Sequence, residues 1–376
     1  MVSKHRLLPL TALLGAGVLA LAACGGGSTG ASGSGSGSGS GSSAGGSAAF
    51  PAKGSGELNL YNWTDYISPD LLKRFESETG IKVHLDTFES NEGLLAKLQA
   101  GGTGYDVIVP SDYMVQQMVQ LGLLQEIDTD TFPNGKNIQP EFNDVYFDQG
   151  RKFTAPYMHG TTGIAIDEGK VGGKVTSWAE FFNPPAGANG NISILNDSNE
   201  VIAAALRAVG SKPCSEQTAD YQKVQTLLAG LKPKLKVISS DGQIDRMTSG
   251  ETTLSMMWNG AFHRASMKNK GVTYVYPSEG LPLWQDNFAV PTGARNVDNA
   301  KIFINWMLDP KNAAEATNFV GYANAVTGSD AYMDKDLAKD PAINPPADKA
   351  ALAQPVPPCS QTALDLYDKV WTDFKS

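Results

Sequence analysis

The sequence predicts an α/β protein with mostly parallel β-sheets. From Glu57 onward, short strand-like apolar runs alternate with amphipathic stretches of helical periodicity, which is typical of this class. The chain has 376 residues, which is long for one domain and sufficient for two. Its 18% charged and 41% hydrophobic residues are typical of a soluble globular protein.

The first part of the folded region alternates strands and helices regularly. Ser68 is a typical helix N-cap and Gly80 a typical helix end, so one helix is expected between them. The predicted order is strand 58–61, helix 68–80, strand 81–85, helix 92–99, strand 106–109 and helix 114–121.

The same alternation continues in the later part. Ser177, with Glu180 three residues later, predicts a capping box that begins a short helix. Pro310 is expected to stop the last helix of this series. The predicted elements are strand 191–195, helix 200–209, strands 252–257, 272–276 and 287–291, and helix 298–308.

The N-terminus predicts export and a lipid anchor. A basic start is followed by an apolar run that ends in Leu21-Ala22-Ala23-Cys24, which predicts a signal peptide over residues 1–23. Small residues before a cysteine are similar to the lipobox of bacterial lipoproteins, in which Cys24 would carry the lipid. Residues 24–56 are almost wholly Gly, Ser and Ala after Cys24 and predict a flexible tether. A non-lipidated signal peptide with an incidental cysteine is the alternative.

Composition and motifs argue against several functions. The net charge of −9 disfavours nucleic acid as a partner. The histidines after the signal peptide, His84, His159 and His263, have no metal-site spacing, and no phosphate-binding glycine loop is present. We therefore expect no enzyme activity, no cofactor and no metal.

Cys214 and Cys359 remain after the predicted lipidation site. An even number of cysteines in an exported protein suggests one disulfide. Two free thiols are the alternative.

Aromatic and acidic residues follow several of the predicted strands. In open α/β sheets, ligands bind beyond the carboxyl ends of the strands, where these residues are expected to meet. Aromatic faces attract alkylammonium groups, and carboxylates bind protonated amines, so the set suits a linear di- or triamine. Each residue taken alone could instead belong to a core or cap a helix. The candidate set is Trp63, Tyr66, Tyr113, Trp258, Trp284, Tyr322, Asp65, Asp197, Glu200 and Asp286.

Several motifs from Leu58 to the C-terminus resemble the spermidine/putrescine-binding proteins of ABC transporters. These motifs are Tyr61-Asn62-Trp63-Thr64-Asp65-Tyr66-Ile67, 75–83, Glu89-Ser90-Asn91-Glu92, Tyr105-Asp106-Val107-Ile108-Val109-Pro110-Ser111, Met257-Trp258-Asn259-Gly260 and Trp284-Gln285-Asp286. The resemblance implies a two-lobed periplasmic-binding-protein fold with the ligand between the lobes. It places residues 57–160 and 287–328 in lobe 1, and residues 161–286 and 329–376 in lobe 2.

The resemblance also implies roles for individual residues. It adds Thr64, Ser111 and, through a loose match, Gln354 to the candidate ligand set. Asp112, His159 and Ala261 depart from the pattern of the spermidine binders. The other matching carboxylates are present, which favours spermidine and allows putrescine.

The function implied by the resemblance is capture of a polyamine outside the cytoplasm and delivery to an ABC transporter permease. The protein is then expected to be a monomer, lipid-anchored to the outer face of the cell membrane or periplasmic. The alternatives are a protein of the same fold that binds another organic cation or an amino-acid derivative, and a surface sensor.

Overall fold

The computed structural model describes residues 50–101, 104–355 and 358–376. The predicted signal peptide, Cys24 and most of the predicted tether lie outside the described residues. The strands are β1 Glu57–Trp63, β2 Lys82–Phe88, β3 Val107–Ile108, β4 Asp144–Val145, β5 Asp148–Gln149, β6 Thr154–Asp167, β7 Ile192–Ile194, β8 Leu235–Ile238, β9 Leu254–Trp258, β10 Val272–Val275, β11 Leu281–Ala289, β12 Ala323–Asn324 and β13 Ala353–Pro355.

The α-helices lie between these strands in the predicted alternation and continue to the C-terminus. They are α1 Pro69–Thr79, α2 Asn91–Gln99, α3 Asp112–Gln120, α4 Glu168–Val171, α5 Trp178–Phe182, α6 Ser198–Ala208, α7 Thr218–Leu231, α8 Gln243–Ser249, α9 Asn259–Lys268, α10 Val297–Met307, α11 Pro310–Val320, α12 Lys335–Lys339, α13 Ala347–Ala350 and α14 Gln361–Lys375.

Local capping chemistry explains why α1 has these bounds. The Ser68 hydroxyl accepts a hydrogen bond from the Leu71 amide, and Pro69 occupies the first helical position, where a missing N–H costs nothing. Gly80 ends the helix at φ +82°, a left-handed conformation that favours glycine. The predicted helix start and end are confirmed here.

Pro310 acts differently from the prediction. α10 already ends at Met307, and Pro310 begins α11 instead of only stopping α10. The Asp309 carboxylate caps α11 by accepting hydrogen bonds from the Lys311 and Asn312 amides. A proline is as suitable for the first turn of a helix as it is unsuitable for the interior, so the same residue separates and starts helices.

The main sheet is mixed and has the strand order β2-β1-β3-β11-β6-β9-β7-β8, with β10 and β12 paired to β6 and β13 paired to β11. At both ends of this order, β1–β2, β1–β3, β7–β8 and β7–β9 pair in parallel, as the alternation predicts. In the middle, the long strands β6 and β11 pair antiparallel to each other. The prediction of mostly parallel sheets is therefore correct for the outer strands and wrong for the centre.

Two large hydrophobic cores give the molecule its two lobes. The first core contains Leu60, Phe75 and Phe303, and the second contains Trp178, Ile194 and other apolar side chains that are almost completely buried. Burial of such side chains is the main source of stability in each lobe. The two-lobed α/β class predicted from the sequence is confirmed, while the residue boundaries of the lobes stay a prediction.

β6 and β11 contribute to both cores. On β6, Tyr157 belongs to the first core and Ile166 to the second. On β11, Phe288 belongs to the first core and Leu281 to the second. The lobes are thus joined by two strands that run from one core into the other.

In the structure, Cys214 and Cys359 are joined by a disulfide across a sequence separation of 145 residues. Cys214 precedes α7 and Cys359 precedes α14, two helices of the second lobe that pack against each other. The bond thereby ties the C-terminal helix to the body of that lobe.

Candidate functional site

One cavity, with a volume of about 160 Å³, collects the residues that follow the strand ends. Trp63 ends β1, Ser111 follows β3, Asp197 follows β7 and Trp258 ends β9. All four line the cavity, which lies beyond the carboxyl ends of these strands, as expected for an α/β binding site.

The structure brings almost the whole predicted set to this cavity. The members of the predicted set that line it are Trp63, Thr64, Asp65, Tyr66, Ser111, Tyr113, Asp197, Glu200, Trp258, Trp284, Asp286 and Tyr322. Gln354 is the exception: it is exposed on β13, beside Pro282 of β11, and does not line the cavity. It belongs to a segment where the sequence match was loose.

Aromatic rings form the walls of the cavity. The Trp63 and Trp258 rings meet at a centroid distance of 5.8 Å, and the Trp284 and Tyr322 rings meet at 5.3 Å. The indole N–H of Trp63 donates to the Val109 carbonyl at 2.9 Å, which fixes the orientation of that ring. Fixed aromatic faces of this kind can cover methylene groups and attract ammonium groups.

Asp286, on β11, is held in place by two side-chain hydrogen bonds. Its carboxylate accepts hydrogen bonds from the Tyr66 hydroxyl at 2.8 Å and from the Ser111 hydroxyl at 2.6 Å. Only 5% of its surface is exposed. Burial raises the pKa of Asp286 to about 7, because the charged carboxylate loses hydration that these two donors only partly replace.

Asp197 and Glu200 lie together at the start of α6. Asp197 is the helix N-cap and accepts a hydrogen bond from the Glu200 amide at 3.0 Å. Glu200 Oε1 accepts from the Thr162 hydroxyl at 2.7 Å, and its Oε2 is buried without a hydrogen-bond partner. Burial raises the pKa of Asp197 to about 6 and, together with the charge of Asp197, raises the pKa of Glu200 to about 8.

We refer to Asp197, Glu200 and Asp286 as the three carboxylates. Within residues 50–101, 104–355 and 358–376, none of them forms an ion pair with a Lys or Arg side chain. Buried carboxylates are ordinarily paired with a cation or neutralised by a proton. Their arrangement therefore suits a ligand that supplies the positive charges.

Asp65 differs from the other predicted acids. Asp65 is exposed, and its carboxylate forms an ion pair with Arg264 of α9 at 2.7 Å. The Arg264 guanidinium also lies over the Phe319 ring, 5.2 Å from its centroid. In this structure the carboxylate of Asp65 is thus occupied by a protein cation, although the residue lines the cavity.

Two residues of α2 support the site, and neither was assigned a role from the sequence. Asn91 donates to the Ser111 hydroxyl and accepts from the Ser111 amide, both at 3.0 Å. Glu92 accepts from the Tyr113 hydroxyl at 3.1 Å. Both belong to the Glu89-Ser90-Asn91-Glu92 motif, so the signal was present, but pattern alone does not tell support from ligand contact.

The departures Asp112 and His159 do not line the cavity. Asp112 is 3% exposed, and burial raises its pKa to about 8. His159 packs against Phe142 with a ring-centroid distance of 4.9 Å, and burial lowers its pKa to about 4. Ala261, the third departure, does line the cavity, where its amide donates a hydrogen bond to the Tyr322 hydroxyl oxygen at 3.2 Å.

Comparison with known proteins gives consistent matches over most of the chain. Residues 70–345 match the model of the family described as bacterial extracellular solute-binding protein. The spermidine/putrescine-binding periplasmic protein 1 of Haemophilus influenzae is 35% identical over 80% of this chain and 84% of its own length. The putrescine-binding periplasmic protein PotF of Escherichia coli is 34% identical over 85% of this chain and 91% of its own length.

Solved structures of substrate-binding proteins are also similar to this chain over most of its length. The spermidine/putrescine ABC transporter substrate-binding protein PotD from Streptococcus pneumoniae is 31% identical and superposes with a TM-score of 0.69, covering 85% of this chain and 98% of that one. The TpPotD lipoprotein of Treponema pallidum is 27% identical with a TM-score of 0.71, covering 85% of this chain and 99% of that one. The chain therefore belongs to the family of bacterial extracellular solute-binding proteins.

Proposed function

We propose that this protein captures polyamines outside the cytoplasm and delivers them to the permease of an ABC transporter. The observation that carries the proposal is the cavity, which has walls of Trp and Tyr. Its three carboxylates have raised pKa values and form no ion pair with a Lys or Arg side chain among the described residues. A protonated amine would supply the missing counter-charge, and its methylenes would lie against the rings. Two relatives are named as spermidine/putrescine-binding and putrescine-binding proteins, and this supports the choice of ligand.

The positions of the three carboxylates suggest how the charges of a ligand are divided. Asp286 comes from β11, while Asp197 and Glu200 come from the start of α6. Polyamine ammonium groups are separated by several methylenes, so acids from different segments suit different amines. We assign one amine to Asp286 and another to Asp197 and Glu200, with Trp63, Tyr66, Tyr113, Trp258, Trp284 and Tyr322 as the surrounding walls.

The same proposal assigns the protein a role in transport and no catalytic activity. The relatives are solute-binding transport proteins, and solute capture needs only a cleft that closes around the ligand. Within residues 50–101, 104–355 and 358–376, no helix is long and apolar enough to cross a membrane. We also propose a lipid at Cys24 as the membrane attachment, which the Leu21-Ala22-Ala23-Cys24 sequence supports.

Calorimetry on the purified protein tests the proposal. We expect saturable binding of putrescine or spermidine and no binding of neutral sugars or of glutamate. Glu200→Gln should weaken spermidine more than putrescine, since the shorter diamine need not place an amine at that residue. The loss of a desolvated charge partner costs roughly 2–5 kcal/mol. Binding of a neutral or anionic solute with no response to any polyamine would refute the proposal.

A further inference from the structure

Arg207 is a buried arginine on the wall of the same cavity. Only 8% of its surface is exposed, and its Nη1 has no hydrogen-bond partner. Among the described residues it also forms no ion pair within 4.0 Å. Burial lowers its pKa, because a guanidinium that leaves water loses hydration. A buried guanidinium is ordinarily fully hydrogen-bonded, so the unpaired Nη1 of Arg207 can donate to an acceptor atom that a ligand brings into the cavity.

A second unpaired atom lies on the same face of the same helix. Glu200 Oε2, an acceptor, is also buried and has no partner in hydrogen-bonding geometry, although the Trp258 side chain and the Arg207 charge both act on the Glu200 carboxyl group and lower its pKa. Residues seven positions apart are two helical turns and roughly 10 Å from each other along the axis of an α-helix. Ala203 lies between them and lines the cavity, and its small side chain leaves the face of α6 open from Glu200 toward Arg207.

The two unpaired atoms are of opposite kinds, and this restricts the ligand group that fits them. A primary ammonium group can donate to Glu200 but offers nothing to Arg207. A secondary amide can do both, because its N–H donates to Glu200 and its carbonyl oxygen accepts from Arg207. We propose that the cavity accepts mono-N-acylated polyamines, with the amide bound along α6 between Glu200 and Arg207 and the free amines at Asp286 and Asp197.

This inference rests on the proposed function and adds mono-N-acylated polyamines to the polyamines that the cavity is proposed to bind. A spermidine acylated at one terminal nitrogen keeps two ammonium groups, one for Asp286 and one for Asp197. The aminobutyl portion of N1-acetylspermidine also keeps the charge spacing of putrescine.

Calorimetry with putrescine, spermidine and N1-acetylspermidine tests the inference on the purified protein. We expect the parent protein to bind N1-acetylspermidine at least as tightly as putrescine. Arg207→Met keeps most of the apolar stem but removes the donor, and should weaken N1-acetylspermidine about 10- to 100-fold, the range for a hydrogen bond to a charged group. The same variant should bind putrescine and spermidine as tightly as the parent or more tightly, because a positive charge is removed from the cavity.

Ala203→Leu provides an independent variant that leaves Arg207 in place. The larger side chain should block the face of α6 and weaken N1-acetylspermidine more than putrescine, which does not extend toward Arg207. Binding of N1-acetylspermidine to the parent protein more than about tenfold more weakly than putrescine would overturn the inference. So would an equal effect of Ala203→Leu on both ligands. If no polyamine binds at all, the proposed function fails as well, so the two failures are distinguishable.

Discussion

Replacing Asp286 by Asn tests the charge in the cavity with the smallest change of shape. Asp286 accepts from the Tyr66 and Ser111 hydroxyls, and Asn offers a carbonyl oxygen in nearly the same place. The substitution therefore removes the negative charge while it retains most of the volume and at least one of the hydrogen bonds.

We expect a large loss of affinity for every polyamine. Truncating one partner of a desolvated charge pair costs roughly 2–5 kcal/mol, because the other charge is left unpaired. This corresponds to an increase in Kd of about 30-fold to several thousand-fold.

The stability of the ligand-free protein should change in the opposite direction. The pKa of Asp286 rises from 3.8 to about 7 in the folded protein, so folding favours the protonated form. Ionised Asp286 therefore destabilises the ligand-free protein progressively as the pH rises from about 4 to about 7. Above that range the cost is roughly 4 kcal/mol, and Asp286→Asn should remove much of it and raise Tm at pH 8.

Calorimetric titration and thermal unfolding at pH 8 measure these two effects. Asp112→Asn is a matched control, since Asp112 is also a buried acid with a raised pKa but does not line the cavity. We expect the control to change affinity far less than Asp286→Asn. If Asp286→Asn binds polyamines as tightly as the parent protein, or if it loses both stability and affinity, Asp286 has a structural role instead.

Four further predictions use other features. Polyamine affinity should fall as the pH is lowered from about 8 to about 6, because the three carboxylates titrate there and a protonated acid cannot pair with an ammonium; constant affinity in calorimetry over that range would contradict this. Replacing Cys214 and Cys359 by Ser should lower the free energy of unfolding by about 5 kcal/mol on the chain-entropy model, and an unchanged denaturation midpoint would argue against it. Cys24→Ser should release the protein from the membrane, and an unmodified N-terminus in mass spectrometry of the native protein would contradict the lipid anchor. A saturating polyamine should reduce the radius of gyration in solution scattering as the lobes close, and equal radii would count against closure.

The sequence was sufficient to predict the local elements and most of the candidate set. Helix α1 could be predicted because its signals, Ser68, Pro69 and Gly80, act within a few residues of the chain. The candidate ligand residues could be placed near each other because parallel strands direct their carboxyl ends to one edge of a sheet. The family resemblance was carried by short motifs that the comparisons over most of the chain support.

Only the tertiary structure decided the centre of the sheet and the electrostatic state of the site. Strand order and direction depend on contacts between distant segments, so the antiparallel pairing of β6 with β11 left no local signal. The different states of Asp65 and Asp286 also left no local signal, because both are aspartates in the sequence. Asp65 is exposed and paired with Arg264, whereas Asp286 is buried between two hydroxyls with a raised pKa. Burial and charge partners come from the whole fold, and these, not residue type, determine which carboxylate is left for a cation.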